Sequence, residues 1–184
     1  MNLFGKREDP HTLVVGMTGV KMGDRLLQVG CAHGGRLGAV AARVGLSGRA
    51  AAAVPDEASA ARARKGAAEA GVLVDVDVAP PTRLPYEADA FDVAVVDNTG
   101  GLLAAMRAED RVAAVRELLR VLRPGGRTIV IGAIPRAGLG ALLTRAQSGP
   151  PLDAVPILQA DGFRSVRQIA ERDGLIFVEG IKAR

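Results

Sequence analysis

Residues 26–38 read Leu26-Leu27-Gln28-Val29-Gly30-Cys31-Ala32-His33-Gly34-Gly35-Arg36-Leu37-Gly38. A short run that is apolar on both faces closes on Gly30, a glycine-rich turn follows, and from Arg36 a helical period runs to Val44 before Gly45. Glycine at such a turn lets another group approach the backbone more closely than any side chain would permit. A buried strand feeding a helix through glycines is the opening unit of an α/β sheet.

The same alternation continues outward from that stretch. AAAAV (50–54) reads as a second strand, although alanine is a poor strand former. Pro55, Asp56 and Glu57 then open a helix that runs to Ala70 before Gly71, with proline fixing φ and acids in the first turn. VLVDVDV (72–78) alternates apolar and acidic residues as a half-exposed strand does, and FDVAVVD (91–97) is a more buried strand ending in an acid. Val112, Val115, Leu118, Leu119 and Leu122 share one face of a helix that must stop before Pro124. RTIVIGAI (127–134) is the fifth strand. A helix near Leu139–Gln147, a link at Gly149-Pro150-Pro151 and a last helix to Ala160 follow. RSVRQIA (164–170) and LIFVEGIKA (175–183) are joined around Arg172-Asp173-Gly174, which marks an antiparallel hairpin. Five strands alternating with helices imply a parallel sheet covered on both faces, and the closing hairpin makes it mixed.

Composition sets limits on function. The chain has 184 residues and 48% apolar content, enough for one globular unit over 1–184, with residues 1–20 as a helical lead-in. It contains no Trp, one Tyr (Tyr86) and four Phe, so a stacking platform for nucleic-acid bases is not expected. The formal net charge is +4, and Arg116, Arg120, Arg123 and Arg127 come nearest to a stripe, read as a solvated helix face. Cys31 is the only cysteine, which excludes an intramolecular disulfide. No apolar run reaches membrane-span length and the start lacks a signal-peptide pattern, so a cytoplasmic protein without a membrane partner is expected. No residues fall at metal-ligand spacing.

The segments VGCAHGGRLG, GRAAAAVPDEASAARARKGAAEAG, LPYEADAFDVAVV and LRVLRPGGRTIVIG, in that order, resemble the class I S-adenosylmethionine-dependent methyltransferases. The small-molecule type that includes the ubiquinone and menaquinone C-methyltransferases is the nearest in flavour. The resemblance spans residues 20 to 184, closing on ADGFRSVRQIAERDGLIFVEGIKA. It implies a Rossmann-like α/β fold: a seven-stranded mixed sheet, the last strand antiparallel and inserted beside the fifth, with helices on both faces and LLQVG central.

The resemblance also implies S-adenosylmethionine as cofactor, lying across the carboxyl ends of strands 1, 2 and 4 where strand order reverses. Gly30, Gly34 and Gly35 would admit it, with Cys31 a small filler of the turn, but Ala32 stands at the family's second glycine. The family's three acids are replaced: the strand-1 acid falls on Gln28, the ribose acid on Val54, and the adenine acid on Pro80. Asp56, just past Val54 and Pro55, is a candidate substitute, and Asp77 reads as an exposed strand residue. Asp97 and Asn98 stand at the end of the fourth strand, where family members place substrate-binding or catalytic groups, so Asp97 is a candidate to orient a cofactor ammonium or to act as base, with a strand-end turn cap as its alternative. His33 is the second candidate base, with a turn residue as its alternative.

Two functions remain open on these residues. One is a divergent S-adenosylmethionine-dependent methyltransferase acting on a small molecule, its site completed by a protein partner or a homodimer. The other is a non-catalytic methyltransferase-like binding or scaffolding subunit. A dinucleotide oxidoreductase, suggested by the loose glycine spacing, is disfavoured because Val54 stands where a ribose-reading acid belongs.

Overall fold

The structure is a computed structural model describing residues 11–134 and 152–184. The helix expected near Leu139–Gln147 and its proline link lie outside the described residues, as does the beginning of the lead-in. The elements are α1 (Thr12–Thr18), β1 (Arg25–Val29), α2 (Gly34–Ala41) running into a 3-10 turn (Ala42–Val44), β2 (Arg49–Val54), α3 (Glu57–Ala70) and β3 (Asp75–Val78). β4 (Phe91–Asp97), α4 (Ala108–Val121), β5 (Leu122–Ala133), α5 (Ala154–Ala160), β6 (Arg164–Arg172) and β7 (Leu175–Ile181) complete them. Among the described residues no helix is long and apolar enough to cross a membrane.

The seven strands lie in the order β3-β2-β1-β4-β5-β7-β6. β1 pairs in parallel with both β2 and β4, so the expected central strand is central, and strand order reverses beside it. β7 runs antiparallel to both β5 and β6, inserted between them as the sequence implied. The β6–β7 turn has Asp173 at φ 55° and Gly174 at φ 77°, the paired left-handed conformations a tight hairpin needs.

Successive residues along each strand alternate between two helical layers. Leu27, Val29, Ala94, Val96 and Val130 pack beneath α4 and α5. Leu26, Val93, Val95, Ile129 and Ile131 pack on the other face with α1 and α2. Farther along that face, Ala52 and Val54 meet Leu37 of α2 and Ala60 and Ala63 of α3, so the weak strand former alanine is chosen at β2 where helices must come close.

Three boundaries shift from expectation, each for a local reason. α3 ends on Gly71 at φ 67°, and Val72 still donates its N–H to the Ala67 carbonyl, so β3 begins only at Asp75. β5 starts at Leu122, which pairs with Phe91 before a bulge around Pro124-Gly125 restores pairing at Val93 and Arg127. Asp56 caps α3 from outside its first turn, its carboxylate accepting the Ser59 N–H at 2.7 Å.

The arginine stripe is not a shared solvated face. Arg120 donates to Glu117 and to the Leu84 and Tyr86 carbonyls, Arg123 pairs with Asp92, and Arg127 donates to the Thr18 and Gly19 carbonyls. Arg127 is thus the cation at the C-terminus of α1, docking that helix onto the sheet.

Candidate functional site

The β1–α2 turn takes its shape from groups of the chain itself. Gly30 has φ 79°, and a Cβ there would lie 2.7 Å from the Leu102 side chain and 3.1 Å from the Asp97 carbonyl oxygen. Glycine is therefore needed for backbone conformation and for the approach of the loop after β4. Gln28 is buried and turns back on the loop, its Nε2 donating to the Gly30 carbonyl at 3.0 Å. Gly34 serves helix packing: a Cβ on it would sit 2.3 Å from the Arg62 carbonyl oxygen of α3, and one on Gly66 would sit 2.0 Å from the Gly34 oxygen. Gly35 faces His11, whose Nε2 would be 2.9 Å from a Cβ at that position. His33 is exposed at the N-cap position of α2, makes no side-chain cap bond, and stacks edge-on against His11 at 5.7 Å.

The end of β4 is the polar centre of this region. The Asp97 side chain is 1% exposed. Its Oδ2 accepts the Ala32 N–H at 3.0 Å, and its Oδ1 accepts the Thr99 N–H at 3.2 Å and the Thr99 hydroxyl at 2.6 Å. Arg36 Nη1 reaches the same oxygen at 3.1 Å and the Thr99 hydroxyl oxygen at 2.9 Å, with the Arg36 side chain 13% exposed. A carboxylate so far from water must be compensated in this way, since unpaired burial of a charge is prohibitively unfavourable. Asn98, also buried, shapes the following loop by accepting the Leu103 N–H at 2.7 Å.

The ribose side offers less. Val54 is fully buried under α3, and its carbonyl accepts the Ala79 N–H. Pro55 and Asp56 are exposed, with the Asp56 carboxylate engaged at the helix cap; the bond from the Ser59 N–H holds that carboxyl below its ordinary value. Pro80 is exposed and has no side-chain hydrogen-bonding group, while Asp77 accepts the Tyr86 hydroxyl at 3.0 Å. Cys31 is buried, and burial pushes its thiol up to about 11, so it stays protonated at neutral pH. Its carbonyl accepts Arg62 Nε at 3.1 Å.

The structure thus brings Gly30, Ala32, Asp97 and Asn98 together and leaves His33, Asp56 and Pro80 at the exposed edge. Arg36, Thr99, Leu102 and Arg62 were not among the expected site residues. Arg36 carried a signal: a cation in the first turn of a helix opposes the dipole and needs an anionic partner.

As arranged, these side chains do not fit S-adenosylmethionine. An ammonium would seek Asp97, which already holds a guanidinium; the Ala32 N–H is already bonded to Asp97; and no acid at the end of β2 points toward a ribose diol. Among the described residues every buried side-chain nitrogen and oxygen has a hydrogen-bond partner.

Likeness to known proteins is nevertheless consistent from sequence to fold. The "Methyltransferase GfsG" of Streptomyces halstedii is 29% identical over 130 residues, covering 71% of this chain; the chain spans 45% of that protein's length. A S-adenosylmethionine-dependent methyltransferase from Aquifex aeolicus has the same fold, with a TM-score of 0.75 at 20% identity over 95% of this chain and 90% of that one. The cyclase SpnF shares it too, at a TM-score of 0.66 and 23% identity over 94% and 79%. The methyltransferase-domain family matches residues 26–126, more than half of the sequence, and its span runs from β1 through the Asp97 loop to the bulge that opens β5. With that match and this sheet, the chain belongs to the class I S-adenosylmethionine-dependent methyltransferase family.

Proposed function

We propose that the chain works as a binding or scaffolding subunit built on the methyltransferase fold, engaging a protein partner or a second copy of itself rather than transferring methyl groups. The observation that carries this reading is the state of Asp97: among the described residues it is the one carboxylate buried at the ligand end of the sheet, and it is saturated by Ala32, Thr99 and Arg36. Among the described residues no base stands ready beside it, because the Cys31 thiol is protonated and the His33 ring lies outside. The cyclase SpnF bears the same fold under a different activity, in keeping with the rule that a fold alone does not fix a reaction.

A second reading, a methyltransferase acting on a small molecule, is favoured by the 29% identity to GfsG. It requires Arg36 to leave Asp97 before the cofactor's cationic end can reach it. Titration calorimetry of the purified chain with S-adenosylmethionine and with S-adenosylhomocysteine separates the two. No saturable heat at millimolar ligand is the expected result; a dissociation constant in the micromolar range or below would replace the first reading by the second.

A further inference from the structure

We propose that the amino end of the sheet is a docking surface for an anionic lipid membrane, with Met22, Leu46 and Leu73 as its inserting tips and Lys21 and Arg43 as its lipid-facing cations. It lies at the opposite end of the strands from Asp97, so the inference goes beyond the reading above and does not depend on what the ligand end does.

Among the described residues four large apolar side chains are exposed, and three of them fall here: Leu46 at 106%, Leu73 at 94% and Met22 at 79%. Each sits in a loop that leads from a helix into a strand: Met22 between α1 and β1, Leu46 between the 3-10 turn and β2, Leu73 between α3 and β3. β1, β2 and β3 are parallel neighbours, so the three loops meet the same end of the sheet side by side. The Gly23 N–H donates to the Val44 carbonyl at 2.9 Å and the Arg49 N–H to the Asp24 carbonyl at 3.2 Å, which laces the first two loops together. A Cβ on Gly45 would lie 3.3 Å from Met22 Cγ, so Met22 leans over Gly45 beside Leu46. Arg49 meets Asp75 at 2.9 Å and ties the start of β3 to that of β2. Scattered singly, such side chains would need no explanation; gathered on adjacent loops they form a patch.

Charge and shape name the occupant. Lys21 and Arg43 flank the tips, are exposed, and have no carboxylate partner among the described residues. The nearby carboxylates are engaged: Asp24 accepts the Lys21 backbone N–H at 2.8 Å, and Asp75 holds Arg49. Farther along the same end Arg25 and Arg123 share the carboxylate of Asp92. Apolar tips among unpaired cations suit a surface that offers acyl chains beneath anionic headgroups. A second copy suits them poorly, because a two-fold contact of the patch with itself would bring Lys21 and Arg43 against like charges. Leucines exposed this fully protrude, and a fluid bilayer receives protruding tips without ready-made pockets. Such docking needs no apolar run of span length, since the sheet gathers tips that are far apart in the sequence.

Cosedimentation of the purified chain with lipid vesicles tests this. The wild type should bind vesicles of phosphatidylcholine containing about one-third phosphatidylserine at low ionic strength, bind pure phosphatidylcholine much more weakly, and leave the anionic vesicles as salt is added. Leu46→Ser and Leu73→Ser change exposed side chains and should melt with the wild type, yet each should lower the partition coefficient about tenfold. Lys21→Ala and Arg43→Ala should each lower it about fivefold on anionic vesicles and leave it unchanged on neutral ones. No binding by the wild type, or equal binding by the wild type and Leu46→Ser, overturns the membrane surface, and so does equal binding to anionic and neutral vesicles. Self-association of the wild type in sedimentation velocity without vesicles, abolished by Leu46→Ser, would assign the tips to a second copy and likewise overturns it.

Discussion

Strand β4 carries an aspartate near each end, and both are paired with arginine, yet the two pairs do opposite things. At the amino end Asp92 is 17% exposed and sits between Arg25 and Arg123, whose side chains are 43% and 49% exposed. Those bonds tie the starts of β1, β4 and β5 together, and water can reach every charge involved. At the carboxyl end Asp97 and Arg36 are almost wholly enclosed, and their pair lies where an open α/β sheet presents its ligand site. The amino-end pair is a surface staple; the carboxyl-end pair fills the fold's customary binding place from inside. Burial makes the difference, since a lost partner at the wet end is replaced by water and one at the dry end is not.

The largest test of that contrast is Asp97→Ala. It leaves the Arg36 guanidinium enclosed without a counter-charge and strips partners from the Ala32 and Thr99 N–H groups. Urea denaturation should show a loss of about 3–5 kcal/mol. A loss no larger than that of the amino-end variant Asp92→Asn would erase the distinction between the two ends.

Gly34→Ala sharpens the contrast by asking what the turn glycines are for. A methyl there would meet the Arg62 backbone carbonyl at 2.3 Å, an atom that no side-chain rotation can move aside, so α2 and α3 must separate. The expected cost is about 2–3 kcal/mol, seen as a lowered melting temperature without any ligand present. Unchanged stability would return Gly34 to the role the sequence suggested, a clearance for a bound molecule.

That ambiguity shows where the sequence was readable. β1 and β4 were plain as short apolar runs, because burial on both faces leaves one composition available to a strand of that length. The closing hairpin was plain from Asp173-Gly174, since few residue pairs accept two left-handed conformations in succession. Gly34 and Gly66 were opaque, because a glycine kept for helix contact looks like a glycine kept for a ligand until α3 is placed. Val54 and Asp56 showed the missing acid, yet only the packing of α3 puts Val54 beneath it and the Asp56 carboxylate on Ser59. The Arg36–Asp97 bond joins residues 61 positions apart, and nothing local to either side chain names the other. Sheet order, which places β4 beside β1, had to be known first.

The smallest expected effect belongs to Asp92, and it has a defined pH signature. Burial works to raise its pKa, but the bonds from Arg25 and Arg123 outweigh that and hold the carboxyl down to about 2, against an ordinary value of 3.8. A carboxyl whose pKa is lower folded than unfolded contributes stability that is complete above the unfolded value. That contribution fades as the pH falls from about 4 toward about 2. The full difference would correspond to about 2.4 kcal/mol, and the half-exposed arginines reduce it to about 1 kcal/mol. Asp92→Asn should therefore be about 1 kcal/mol less stable than the wild type at pH 7. Urea titrations at successive pH values should show that gap closing between pH 4 and pH 2, because the wild-type carboxyl becomes as neutral as the amide. A gap that stayed constant down to pH 2 would mean that Asp92 contributes by shape and hydrogen bonding rather than by charge, and the wet end of β4 would then owe nothing to its ion pairs.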